Sequence, residues 1–252
     1  MSLRGLKVTV FSCVVFAITM LFSPASPRVS AGQQGVPAAS PDKKTEEVFK
    51  NIQVLKGLPS TGLMRAMGFF RRSLGVECTF CHVPPTFEKD DKPTKLMARK
   101  MYLMVQSAQK ELGTNKVSCF MCHRGHEEPE PAPFKAEIAK AMQEAAKDPT
   151  PAEKVYSNIQ VLKGMPAGDI MVLMGAFTRS LGVECTHCHV EGEFEKDDKP
   201  AKQTARKMIQ GMMSINKQLG KTTGDVNCFT CHRGEKEPVA FPPQQAPAEK
   251  KF

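Results

Sequence analysis

Apolar side chains recur at helical spacing in two stretches of this chain that mirror each other. Leu63, Met67, Phe70 and Leu74 follow four- and three-residue steps and form one apolar stripe. The pattern predicts a helix over about 60–74 that ends at Gly75, and a counterpart over about 168–181 that ends at Gly182. A further helix is expected in each stretch, over about 93–112 and 200–219, opening on proline and running into glycine. Alternating runs of the kind that make strands are few. The predicted fold is mostly α with little sheet.

The mirroring is a duplication. Residues 51–82 read NIQVLKGLPSTGLMRAMGFFRRSLGVECTFCH, and residues 158–189 read NIQVLKGMPAGDIMVLMGAFTRSLGVECTHCH. They are offset by 107 positions, with 22 of 32 identical. FEKDDKP (87–93 and 194–200) and ARKM (98–101 and 205–208) recur as well. The expected organisation is two tandem units, 32–126 and 151–235, related by a pseudo-twofold duplication. A linker at 127–150 separates them, with proline-rich EEPEPAP and then a short helix over about 134–147. Residues 236–252 form a proline-rich tail. FEKDDKP lacks the ligand spacing of a calcium loop and reads as a solvated loop, its aspartate capping the next helix.

Residues 1–31 have the layout of a secretory signal peptide. Arg4 and Lys7 precede an apolar run from Val8 to Phe22, and Val29-Ser30-Ala31 offers a small-residue cleavage site. An uncleaved anchor is the rival reading, although the run would span only roughly 22 Å as a helix. The mature protein is therefore expected in the periplasm. The formal charge is +9. Cleavage removes Arg4, Lys7 and Arg28 and leaves +6. No aromatic-plus-basic motif accompanies that charge, so nucleic acid is not an expected partner.

Eight of the nine cysteines fall in four pairs, each followed at once by histidine: Cys78, Cys81 and His82; Cys119, Cys122 and His123; Cys185, Cys188 and His189; Cys228, Cys231 and His232. CxxCH is the attachment signature of c-type haem. Two thiols form thioethers with the vinyl groups, and the adjoining imidazole lies where it can bind iron. Zinc would leave four identically placed histidines unexplained, and a dithiol redox motif would need a βαβ setting. Four covalently bound haem c groups are expected. They would form much of the core, because so short a chain cannot enclose four large cofactors by shape alone.

An electron carrier fills both axial positions of its iron. Most of the 15 methionines need no role beyond packing. Met67 precedes Cys78 by the same interval at which Met174 precedes Cys185, and Met101 and Met208 stand in the shared ARKM, upstream of Cys119 and Cys228. Met64 and Met171, a little further ahead of the same pairs, lie on nearby helix faces and remain alternatives to Met67 and Met174. His126 and His187 do not recur and read as incidental surface residues, although either could complete a bis-His haem. Arg124 and Arg233, directly after a CxxCH histidine, are candidates to pair with haem propionates.

With paired CxxCH sites and an upstream helical methionine for each, the chain resembles the tetrahaem cytochrome c subunit of photosynthetic reaction centres over about residues 45–240. The LGVEC-x-x-CH segments, Met67 and Met174 on the helices before them, and the ARKM helix before CxxCHRG carry the resemblance. It implies haems in a rough line about a pseudo-twofold axis, fed by small soluble carriers and rereducing a photo-oxidised chlorophyll pair. It also implies His82, His123, His189 and His232 as proximal ligands, with Met67, Met101, Met174 and Met208 distal. The chain departs from the family in three ways. Residues 107–118 hold no histidine where family members carry one for a bis-His haem, a lipidated cysteine has no good counterpart, and the chain is shorter.

The expected function is electron transfer rather than enzymatic catalysis. Its redox partners are soluble carriers and either a membrane reaction centre or a respiratory complex. A respiratory or extracellular carrier in a non-photosynthetic bacterium is the alternative, and a multihaem reductase or peroxidase a further one. Membrane association and homo-oligomers joined through the tail or linker are compatible with the sequence.

Overall fold

The computed structural model describes residues 43–145, 147–220 and 225–243. The expected signal peptide and the end of the tail lie outside the described residues. In chain order the helices are α1 (Thr45–Val48), α2 (Leu63–Leu74), α3 (Cys78–Cys81), α4 (Pro93–Leu112), α5 (Cys119–His123), α6 (Lys135–Ala145), α7 (Ala152–Val155), α8 (Ala167–Leu181), α9 (Pro200–Leu219) and α10 (Cys228–His232). Among the described residues, β structure is limited to isolated bridges, at Lys44–Pro59, Pro151–Pro166 and Val190–Glu193. The mostly α expectation holds.

Equivalent hydrogen bonds tie down the start of each half. The Thr45 amide donates to the Leu58 carbonyl at 2.9 Å, and the Ala152 amide to that of Met165 at 2.7 Å. The Glu46 carboxylate accepts from the Gly57 amide at 2.9 Å, and Glu153 from Gly164 at 2.8 Å. These contacts turn the chain so that α8 sets out from Pro166, and α2 follows a 3₁₀ turn, Ser60–Gly62, that sets out from Pro59. On α2 the buried face carries Leu63, which packs with Phe49 and Leu55 while Met67, Phe70 and Tyr102 line the edge. Gly75 and Gly182 close these helices with left-handed backbone, φ 66° and 63°.

The long helices α4 and α9 match the expected bounds at both ends. Proline stands in the first turn, where its missing N–H costs nothing, and a left-handed glycine follows each. The two helices pack together. Ser214 donates to Glu111 at 2.9 Å, and Gln218 to the Ser107 hydroxyl at 3.3 Å. Gly211 admits Leu112, whose Cδ2 would lie 3.0 Å from a Cβ placed there.

Within the segment read as a linker, α6 packs on α8. Arg179 pairs with Glu137 at 2.8 Å and sits over the Phe134 ring at 4.5 Å. Phe134 in turn meets Phe229 edge-on, with ring centroids 5.6 Å apart. Residues of the tail reach the first half: Phe241 packs on Phe69, and the Ser118 hydroxyl donates to the Ala240 carbonyl. No helix among the described residues is long and apolar enough to cross a membrane.

The apolar core is thin. Among the described residues, the largest fully buried side chains are Thr45, Ser60 and Ser73, whereas Met64, Met171, Leu103 and Phe194 are more than half exposed. A chain of this length ordinarily encloses many large apolar side chains. Here the polypeptide encloses few.

Candidate haem-attachment sites

Each CxxC pair occupies one tight turn, which places its two thiols on one side. Cys78–Cys81, Cys119–His123 and Cys228–His232 are short helices, and Cys185–His187 is a 3₁₀ turn. The His82 and His189 amides donate to the carbonyls of Cys78 and Cys185, both at 3.0 Å, so the turn carries each imidazole with it. Side-chain caps fix the second site of each half. Ser118 Oγ accepts from the Met121 amide at 3.3 Å, and Asn227 Oδ1 from that of Phe229 at 3.0 Å.

All four histidines share one hydrogen-bonding arrangement. Nδ1 contacts a backbone carbonyl at each: His82 to Phe87 at 2.8 Å, His123 to His126 at 3.1 Å, His189 to Phe194 at 2.8 Å and His232 to Glu235 at 3.0 Å. A carbonyl can only accept, so Nδ1 carries the proton and Nε2 keeps its lone pair. This is how a protein orients an imidazole that binds a metal. Burial also pushes the pKa values of His82 and His123 down, favouring the neutral ring that ligation needs.

The eight thiols are unbridged. Burial pushes up the pKa values of Cys81, Cys119 and Cys188, and that of Cys228 rises to about 11. Apolar grooves adjoin two of the pairs. One of about 390 Å³ beside Cys119 is lined by Phe69, Phe70 and Tyr102, and one of about 170 Å³ beside Cys228 by Leu173, Phe177 and Met212. Paired thiols, an adjoining imidazole with Nε2 available, and apolar walls left uncovered by a thin core fit a thioether-held haem.

The first and second sites of each half are locked together through glycine. The chain leaving α2 turns at Gly75 against the HRG segment that follows α5. A Cβ on Gly75 would lie 1.9 Å from the Gly125 carbonyl oxygen, and one on Gly182 2.1 Å from that of Gly234. The Gly125 and Gly234 amides donate to the carbonyls of Ser73 and Ser180, each at 2.8 Å.

The second sites of the two halves also meet. Cys122 Sγ lies 3.1 Å from Cys231 Sγ. Arg124 donates across to the Cys231 carbonyl at 3.2 Å, and Arg233 to that of Cys122 at 3.0 Å. Arg233 further pairs with Glu130 at 2.6 Å. The Nε atoms of Arg124 and Arg233 are buried without a hydrogen-bond partner, which leaves one donor on each for an anionic group.

The methionines lie on the expected helices, apart from the cysteine turns. Met67 and Met174 are half-buried on α2 and α8, and Met101 is half-buried on α4, while Met208 is 40 % exposed on α9. Met64 and Met171 are 62 % and 67 % exposed. His126 is exposed, and its carbonyl serves His123.

Sequence reasoning missed a polar cage beside the first site of each half. FEKDDKP wraps the ammonium of a lysine from the first turn of the helix that follows it. Lys95 donates to the carbonyls of Phe87, Glu88 and Lys89 at 2.9, 2.9 and 2.7 Å, and Lys202 to those of Phe194, Glu195 and Lys196 at the same distances. Asp90 pairs with Lys95 at 3.2 Å and Arg99 at 2.8 Å; Asp197 pairs with Lys202 at 3.1 Å and Arg206 at 2.9 Å. Asn51 and Asn158 close the cages from the NIQ segments, donating to Asp90 and Asp197 at 2.9 and 3.0 Å. The aspartates thus hold cations rather than capping the helices, whose N-cap residues are Lys92 and Lys199 and which have no side-chain cap. The repetition of NIQ, FEKDDKP and ARKM in both halves was the available signal.

The helical fold with its CxxCH turns is that of a c-type cytochrome. A family model described as photosynthetic reaction centre cytochrome C subunit matches residues 22–146 and again residues 131–250. The reaction centre cytochrome c subunit of Thermochromatium tepidum is 26 % identical over 82 % of this chain and 64 % of its own length. That of Rubrivivax gelatinosus is 29 % identical over 85 % of this chain and 75 % of its own. Cytochrome c-554 of Chloroflexus aurantiacus is 36 % identical over a shorter stretch, 30 % of this chain and 20 % of its own. The chain belongs to the photosynthetic reaction centre cytochrome C subunit family. It spans less than two thirds of the Thermochromatium tepidum subunit.

Proposed function

We propose that this chain is a periplasmic tetrahaem c-type cytochrome that passes electrons to a photo-oxidised reaction centre. Cys78, Cys81, Cys119, Cys122, Cys185, Cys188, Cys228 and Cys231 anchor four haems. His82, His123, His189 and His232 would bind the iron, and Met67, Met101, Met174 and Met208 would supply the second ligand of each. The observation that carries the reading is that all four CxxCH imidazoles hold Nδ1 on a backbone carbonyl and leave Nε2 available.

Bound haem iron supplies one-electron chemistry. The chain contributes anchorage, ligand orientation and the electrostatic setting. Arg124 and Arg233 each donate to a backbone carbonyl in the opposite half's cysteine turn, and this pairing of the second CxxCH turns suits a relay running through both units. The unpartnered Nε atoms of Arg124 and Arg233 provide donors for propionates. A methionine for each histidine would fill both iron positions, as suits a carrier rather than an enzyme. Small soluble redox proteins are the expected electron source.

Pyridine haemochrome analysis of the exported protein should give four haems per chain, and two or fewer would overturn the assignment. Slow or absent CO binding to the reduced protein is expected of a carrier, whereas rapid uptake would reveal an open iron. Flash-induced oxidation in native membranes tests the photosynthetic role. Silence in membranes that contain reaction centres would leave a respiratory carrier.

A further inference from the structure

Two buried ammonium groups stand one carbonyl away from two of the imidazoles. The Phe87 carbonyl accepts from His82 Nδ1 at 2.8 Å and from Lys95 Nζ at 2.9 Å. The Phe194 carbonyl accepts from His189 at 2.8 Å and from Lys202 at 2.9 Å. The carbonyls serving His123 and His232 belong instead to His126 and Glu235, in the short HRG turns outside the two lysine cages. The geometry points to Lys95 and Lys202 as positioning residues that raise the reduction potential of the haems held by His82 and His189. This rests on the haem assignment above.

Two effects act with the same sign. A carbonyl already accepting a charge-assisted bond from an ammonium has less electron density to offer a second donor. The His82 N–H is therefore held less strongly, its ring is a poorer electron donor through Nε2, and the oxidised iron is less stabilised. Charge adds to this. Lys95, Arg99 and Asp90 together carry a net single positive charge, as do Lys202, Arg206 and Asp197. The Lys95 and Lys202 side chains are only 11 % and 10 % exposed, so water screens them weakly. A nearby positive charge disfavours the ferric state.

The test uses the fully loaded, exported protein. Lys95→Met removes the ammonium at nearly constant shape, and Asp90→Asn removes the opposing negative charge while the three carbonyls still hold Lys95. Lys95→Met should lower the ferrous-to-ferric ratio at one haem about tenfold, equivalent to about 59 mV for a one-electron couple. Asp90→Asn should shift the same haem the opposite way. Lys202→Met and Asp197→Asn should do likewise at a second haem. The imidazole Nδ1–H resonance of His82 should move in Lys95→Met while that of His123 stays. A lysine that merely braced the loop would shift both variants in one direction or neither, and either result, with four haems still bound, overturns the inference. If Lys95→Met fails to assemble, Asp90→Asn and Lys202→Met decide it. Loss of haem from the unmodified protein would instead strike at the haem assignment.

Discussion

Gly75 lies so close to Gly125 that a Cβ on Gly75 would fall 1.9 Å from the Gly125 carbonyl oxygen. The contact joins the turn entering one CxxCH site to the segment leaving the next, and Gly182 with Gly234 repeats it at 2.1 Å. Rigid spacing between successive sites follows from it, because neither backbone can yield without moving a cysteine turn.

Substitution at Gly75 should therefore be costly. Gly75→Ala adds left-handed strain to a backbone clash, together about 3 kcal/mol. Gly113 provides the control, since it has a similar φ of 63° but nothing within 4 Å of its would-be Cβ. Gly113→Ala should cost only about 1 kcal/mol, the strain alone. Denaturant midpoints of the holoproteins measure both, and equal losses would show that the glycine–glycine contact does not matter.

A second expectation concerns acid. The Arg99 guanidinium beside Asp90 holds its carboxyl down from 3.8 to about 2, while Arg206 holds Asp197 well below the usual range. A carboxylate with a depressed folded pKa binds fewer protons folded than unfolded, so stability rises with pH. The contribution is complete above about pH 4 and disappears as pH falls through about 2. Thermal midpoints between pH 5 and 2 should drop less steeply for the Asp90→Asn, Asp197→Asn double variant than for the parent. Parallel curves would exclude the cages as a source of acid lability.

Packing between α4 and α9 yields a third. A Cβ at Gly211 would sit 3.0 Å from Leu112 Cδ2. Gly211→Leu should destabilise by about 1–3 kcal/mol through overpacking. Adding Leu112→Ala should recover part of that loss, a coupling that a double-mutant cycle on unfolding free energies measures. Strict additivity would mean that the two helices do not meet at these residues.

What the sequence made legible follows from the range of the signal. Proline at 93 and 200 and glycine at 113 and 220 bound α4 and α9 because helix ends are written in a few adjacent residues. The cysteine turns were equally local. The Lys95 cage was not legible, because a side chain returning to three loop carbonyls leaves no hydrophobic period, and FEKDDKP looked merely solvated. The approach of Gly75 to Gly125, and that of Cys122 to Cys231, join residues far apart in the chain, where no local pattern reports them. The methionines fall between these cases: their helices were legible, but the choice between neighbouring faces was not.

That choice has a direct test at α2. Met67 is half-buried at the edge of the Phe49, Leu55 and Leu63 cluster, so its backbone and stem are already ordered, whereas Met64 on the adjacent face is 62 % exposed. Holding a side chain in one rotamer costs entropy, up to about 2 kcal/mol for methionine. A thioether ordered in advance is the better sixth ligand. Met67→Ala should therefore open one iron, giving rapid CO binding at a single haem of the reduced protein and a lower potential for that haem, with haem content unchanged. Met64→Ala should leave both properties as they are. The reverse outcome would transfer the ligand role to Met64, and by the same register on α8 from Met174 to Met171.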